Sequence, residues 1–321
     1  MKKLILGSMV LLSGFGACQE KSTSGTALKK QDQDQKMLDI YKQVKTFNDQ
    51  PWYELEFSQD ACGYEILIND IPLQRYLMFG SVNKQRIPVN DHILATGKQN
   101  ITIRMFPPQL SDGSWSASLV DASKLAVKVM YRKFDGPMED FTPVFEFVAP
   151  NKAGTAGYLR SGQQFYEFKG SFEAIVPYQL EGWDNSKDLS KENQEELLKE
   201  AVLAYNRFRK VLINKEVNVY ADLMYDKELD LAKAFYWTKP SDSKARWSEM
   251  KGTVLEKREI LPLVDFKLVL YAGGKVLALQ PVKGMYQDYL SAIHARTADD
   301  DIQISFLLHK KRGSNELSPI R

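Results

Sequence analysis

From Pro51 onward, hydrophobic and polar positions alternate with period two. In PWYELEF, Tyr53, Leu55 and Phe57 fall on one side and Glu54 and Glu56 on the other. YEILI (64–68), ITIRMF (101–106), LAVKVMYRKF (125–134) and PVFEFV (143–148) continue the pattern, as does the run 165–178, which is broken at Lys169-Gly170. Asn69-Asp70 and Thr96-Gly97-Lys98 read as turns. Pro107-Pro108 ends a strand because proline has no N–H for the ladder. Short runs rich in aromatic and β-branched residues, separated by Gly, Pro and Asp, predict an antiparallel β-sandwich. Just ahead of it, Met37, Ile40, Tyr41, Val44 and Phe47 recur every three or four residues, which predicts a short helix over 36–47.

The polar stretch EGWDNSKDLSK (181–191) marks a boundary, after which the period lengthens. Leu198, Ala201, Val202, Tyr205, Phe208 and Leu212 form the apolar stripe of a helix over 190–213, with Ser190 as its expected N-cap. Helical spacing continues over 217–237, and another helix is expected from near Ser243, after Lys239-Pro240-Ser241-Asp242. Period two then returns. DFKLVLY (265–271) and KVLALQ (275–280) flank Gly273-Gly274, a strong hairpin signal. IQISFLLH (302–309) and 315–320 flank Lys311-Arg312-Gly313-Ser314, a second such signal. Helices followed by hairpins predict helices laid on one face of a curved antiparallel sheet. The expected class is α+β, with an N-terminal antiparallel β-sandwich followed by a helices-then-curved-sheet α+β domain. Through EAVLAYNRFRKVLINKEVNVYADLM and FKLVLYAGGKVLALQ, residues 190–321 resemble the nuclear-transport-factor-2-like cone fold. That resemblance implies a pocket at the mouth of a cone; it implies no particular reaction.

The start of the chain has a different pattern. Lys2 and Lys3 precede an apolar run, Leu4 to Phe15, and small residues follow, which is the layout of an export signal. The run is too short to cross a bilayer, which takes about 17 residues or more. The stretch Phe15-Gly16-Ala17-Cys18 resembles the cleavage site of a bacterial lipoprotein precursor. The resemblance implies cleavage before Cys18, a diacylglycerol on its thiol and a place in the cell envelope. Phe15 stands where that family usually has Leu. Gln19 after the cysteine, by likeness to enterobacterial lipoproteins, implies the outer membrane. The expected organisation is a signal peptide over 1–17, a polar tether over 18–35, a short helix plus sandwich over 36–180 and the cone-like domain over 181–321.

This reading changes the charge balance. The whole chain has 43 basic and 41 acidic residues. Residues 1–17 contain two lysines and no acids, so 41 of each remain and the formal net charge falls from +2 to zero. No basic excess is left to suggest a nucleic-acid partner or a polybasic membrane patch. Association with the membrane is therefore expected through the lipid on Cys18. With Cys18 acylated, Cys62 has no disulfide partner and reads as a small buried hydrophobe.

Candidate chemistry is sparse. His92, His294 and His309 show no metal-ligand spacing, and no P-loop, GxSxG or dinucleotide-binding glycine pattern occurs. No metal or cofactor is expected. Asp184, Ser186, Asp188 and Glu195 stand at calcium-loop offsets, but Leu189 occupies the glycine position. His92 reads as a structural histidine, and His309, beside Lys310 and Lys311, as exposed. Trp115, in the loop SDGSWS (111–116), is the candidate platform for a sugar ring, and Trp183 is expected between the domains. The leading expectation is a non-enzymatic envelope lipoprotein that binds a protein or small ligand, with an immunity-type role as one concrete form. Carbohydrate binding through Trp115 is one alternative. A hydrolase using His294 and His309 in the C-terminal pocket is the other.

Overall fold

The computed structural model of the protein describes residues 34–150, 162–282, 290–297 and 301–320. The fold is α+β and all four of its sheets are antiparallel. Eight strands form the sandwich: β1 (Pro51–Asp60), β2 (Gly63–Ile68), β3 (Ile71–Tyr76), β4 (Val82–Pro88), β5 (Gly97–Phe106), β6 (Lys124–Lys133), β7 (Thr142–Val148) and β8 (Tyr166–Ala174). One sheet runs β4-β1-β6-β7 and the other β3-β2-β5-β8. The alternation of β1 sets its register: Leu55 pairs with Val129 and Phe57 with Val127 on β6. These side chains share a core with Ile66 and Ile103, which pair with each other on the second sheet. On the outer face Glu56 takes charge-assisted bonds from Arg86 (2.7 Å) and Lys84 (3.0 Å).

The C-terminal portion has three long helices, α2 (Gln194–Ile213), α3 (Val217–Ala234) and α4 (Pro240–Leu255); the short α1 is described over residues 34–38. The strands β10 (Phe266–Tyr271), β11 (Val276–Pro281), β14 (Leu308–Lys310) and β15 (Leu317–Pro319) form a sheet in that order. A smaller one orders β13 (Asp301–Gln303), β12 (His294–Arg296) and β9 (Glu259–Ile260). Every residue of β11 is buried. Val276 and Ala278 join the sandwich core, while Leu277 and Leu279 join a second core with α2, α3 and α4. One strand thus serves two cores, so the four-stranded sheet lies between the sandwich and the helices. A sheet covered on both faces needs apolar residues at every position, which explains why KVLALQ lacks clean alternation.

Several junctions join the two portions. The Tyr236 hydroxyl donates to Pro51 O (2.9 Å), and Asp70 accepts from the backbone of Ala272 (3.1 Å) and Gly273 (3.0 Å). Tyr236 has a left-handed backbone (φ 56°), an uncommon state for a bulky residue. Its ring is held between Phe134 and Tyr178, with centroids 5.9 and 5.8 Å away. Trp183 is buried in the core that spans the two portions. Cys62 is buried and its Sγ donates to Lys124 O (3.4 Å); burial pushes its thiol up to about 12, so it stays an unreactive SH.

Several expectations need correction. The 190–213 helix starts at Gln194, because Asn193 Oδ1 accepts from the N–H groups of Glu195 (3.0 Å) and Glu196 (3.1 Å). Ser190 instead lies in a 3-10 turn, Leu189–Lys191, whose cap is Asp188. The final helix begins earlier than expected, with Pro240 in its first turn and the Asp242 carboxylate accepting from Lys239 N (3.0 Å). The 302–309 run is split into β13 and β14, because Phe306 leaves the strand path to stack on Phe208 (4.1 Å) and Tyr205 (4.7 Å). Met37, Ile40 and Val44 pack with the helices, not with the sandwich that follows them in sequence. The expected signal and nearly all of the tether lie outside the described residues.

Candidate ligand-binding cleft

A cleft of about 550 Å³ with a mixed polar and apolar lining opens where the sandwich meets the C-terminal portion. That volume falls within the small-molecule range. Edge strand β3 supplies Leu73, Arg75 and Tyr76, and the loop after it supplies Met78. Asp91 and His92 come from the 3-10 turn Asn90–His92. Lys227 and Leu231 come from α3, and Phe306 and Leu307 from the segment between β13 and β14.

The 3-10 turn is rigidly held. Asn90 is fully buried; its Oδ1 accepts from Tyr53 N (2.7 Å) and its Nδ2 donates to Pro51 O (2.9 Å). Asn69 Nδ2 donates to His92 O (2.9 Å). His92 Nδ1 lies 2.9 Å from Asp91 Oδ1 and donates to that carboxylate, which leaves Nε2 as the ring's other polar atom. That Nε2 is shut off from solvent and has no hydrogen-bond partner among the described residues. His92 is therefore buried, as expected, but satisfied on one side only.

Arg75 is incompletely satisfied as well. Its Nη1 donates to Glu65 Oε1 (3.2 Å), and the other oxygen of Glu65 is taken by Arg104 Nη1 (2.9 Å). Arg104 Nε donates to Glu167 (2.9 Å), which Lys169 also reaches (3.0 Å). Hydrogen bonds from Arg104 and Lys169 hold the Glu167 carboxyl below its ordinary range. Arg75 Nε is buried and has no acceptor. Buried polar groups are nearly always paired, and an orphan costs roughly 1–3 kcal/mol. Orphans of this kind also occur at Arg132 Nε and Arg258 Nε; what distinguishes Arg75 and His92 is that both line one cleft.

Comparison with known proteins gives no match: no family model, no curated protein and no solved structure is similar to this chain. The site must therefore be read from its own geometry.

The residues singled out in the sequence lie elsewhere. His309 is buried, contrary to expectation. The adjacent Lys310 folds inward to Glu192 and Glu200, both at 2.6 Å, so the lysine pair does not mark a surface. Burial works against the Lys310 charge, but the two carboxylates outweigh it and raise its pKa. His309 Nδ1 lies 2.6 Å from Ser186 Oγ, beside a cavity of about 180 Å³. Four charged groups of that cavity pair with each other, Lys311 with Asp226 (2.6 Å) and Lys233 with Asp230 (3.7 Å). His294 is buried on β12, in a different sheet from His309. Ser186 and Asp188, two of the calcium-loop positions, are engaged by His309 and Ser190. Trp115 is 39% exposed and lies in the loop after β5, at the end of the sandwich opposite the Asp70–Gly273 junction. Phe79, 60% exposed, belongs to a loop at the same end, joined to Trp115's loop where Gln109 Oε1 accepts from Phe79 N (3.1 Å).

Arg75 and His92 were not selected from the sequence as binding residues. IPLQRY carries no motif, and an arginine and a histidine 17 positions apart become neighbours only through the fold.

Proposed function

We propose that this protein is a cell-envelope lipoprotein, held by lipid on Cys18, whose folded portion binds a small ligand in the cleft beneath β3. The observation that carries the reading is the pair of buried, unpartnered polar atoms, Arg75 Nε and His92 Nε2, on residues of one cleft wall. A bound ligand could supply the missing partners. The cleft's size favours a small molecule over a protein segment, which narrows the envelope-binding expectation.

Carbohydrate binding at Trp115 is the second reading, favoured by the indole's exposure next to the Phe79 loop. Its loop is poorly equipped for sugar hydroxyls. Both ends of the Gln109 amide are used, by Phe79 N and Gly113 O, and Asp112 Oδ1 is turned to Ser114. The aromatic ring would have to act without polar help.

Native mass spectrometry of the full chain, released gently from envelope membranes, tests the cleft. We expect a small-molecule adduct beyond the constant Cys18 lipid mass, lost in Leu231→Trp because the larger ring fills the cleft. No adduct, or one equally abundant in Leu231→Trp, would count against this site.

A further inference from the structure

We propose that the cleft takes an anionic amphiphile, an oxyanion head on an apolar stem, with the head bound at Arg75. The inference rests on the cleft being the binding site and adds the chemical class of its ligand.

The head group follows from the donor geometry of Arg75. A guanidinium binds an oxyanion best through two parallel N–H bonds from one edge. Glu65 uses only Nη1. The edge formed by Nε and Nη2 has no protein acceptor among the described residues, and its Nε is buried. This edge matches two oxygens of a carboxylate or phosphate. Charge balance points the same way. Arg75, Arg104 and Lys169 share Glu65 and Glu167, so three positive charges meet two negative ones. An anionic head would remove the excess and give Nε its acceptor.

The stem follows from the rest of the lining. Leu231, Leu290, Phe306 and Leu307 come from the C-terminal portion, and Leu73 and Met78 from the sandwich. Burying an apolar chain against them contributes roughly 25 cal/mol per Å². A small inorganic anion would leave that surface unused, and a neutral lipid would leave the arginine edge empty.

The test uses the chain from residue 18 with Cys18→Ala, which keeps every described residue and needs no detergent. Binding of dodecanoate, dodecyl phosphate, dodecanol and acetate is measured by calorimetry below their aggregation limits. Dodecanoate or dodecyl phosphate is expected to bind at least about tenfold more tightly than dodecanol, and acetate not detectably. Which of the two acids binds more tightly separates a carboxylate source from a phosphate source. Leu231→Trp should abolish binding. Arg75→Lys keeps a positive charge on Glu65 but lacks the two-donor edge, so it should cost the acid about tenfold and leave dodecanol unchanged. Equal affinity for dodecanol and dodecanoate, or acid binding unaffected by Arg75→Lys or Leu231→Trp, would overturn the assignment. If no probe binds while the natural adduct is still lost in Leu231→Trp, the acid-amphiphile class is wrong and the cleft remains the site. If that adduct is absent too, both fall.

Discussion

Replacing Arg246 with methionine is expected to destabilise the protein by about 3–5 kcal/mol, the usual cost of stranding a buried charge. Glu228 on α3 is fully buried, and Arg246 on α4 grips its carboxylate through Nε (2.7 Å) and Nη2 (2.8 Å). Lys227 Nζ also reaches the carboxylate, but at 3.5 Å and through a single contact, so it replaces the two short Arg246 bonds only in part. Burial is the largest single influence and would raise the Glu228 pKa, but the hydrogen bonds from Arg246 together with the nearby positive charges of Lys227 and Arg246 outweigh it and hold the carboxyl below the reference value of 4.5. The sign of the pH dependence follows. A depressed native pKa makes the unfolded state bind more protons in that window, so stability rises with pH. The contribution is complete above about 4.5 and is lost as pH falls through the lower native value. In Arg246→Met, protonating Glu228 relieves the stranded charge, so the deficit should shrink on acidification. Urea denaturation of both proteins at pH 7 and pH 3 measures this. An equal deficit at both values would contradict it. The pair ties α4 to α3, the helix that supplies Lys227 and Leu231 to the cleft, so its loss should loosen that wall as well.

The second large effect concerns the proposed lipid on Cys18. Cys18→Ala is expected to move the protein from the membrane fraction to the soluble fraction and to abolish incorporation of labelled fatty acid. The expectation rests on the lipid proposed for Cys18. No helix among the described residues is long and apolar enough to cross a membrane. From residue 18 onward the formal charge is 41 positive against 41 negative, so no net positive charge draws the chain to anionic lipid. Several acyl chains on one cysteine hold firmly where a single chain would not. Unchanged partitioning with no lost label would contradict the anchor.

Much of the framework was legible in the sequence, because period-two alternation encodes which face is buried. Tyr53, Leu55 and Phe57 predicted both β1 and its buried side. Strand β4 escaped notice because VNKQRIP is an edge strand with little burial and so needs no apolar side. The helix start shifted from Ser190 to Asn193 because both residue types cap well, and the packing of Leu189 and Leu197 in the helical core decides where the turn begins. The burial of His309 was hidden because lysines read as surface, whereas Lys310 finds two carboxylates on and near α2, Glu192 and Glu200, 118 and 110 positions earlier in the sequence. The cleft was not legible at all. Its donors sit on β3 and a 3-10 turn, and its apolar wall comes from α3 and the β13–β14 segment, so only the assembled sheet brings them together.

The most direct measurement of the central claim is a crystal structure of the protein purified from envelope membranes without denaturation, so that any natural ligand stays bound. The account predicts density in the cleft, with polar atoms against Arg75 and an apolar part against Leu231 and Phe306. An empty cleft with a ligand seated on Trp115, or beside His309, would contradict it.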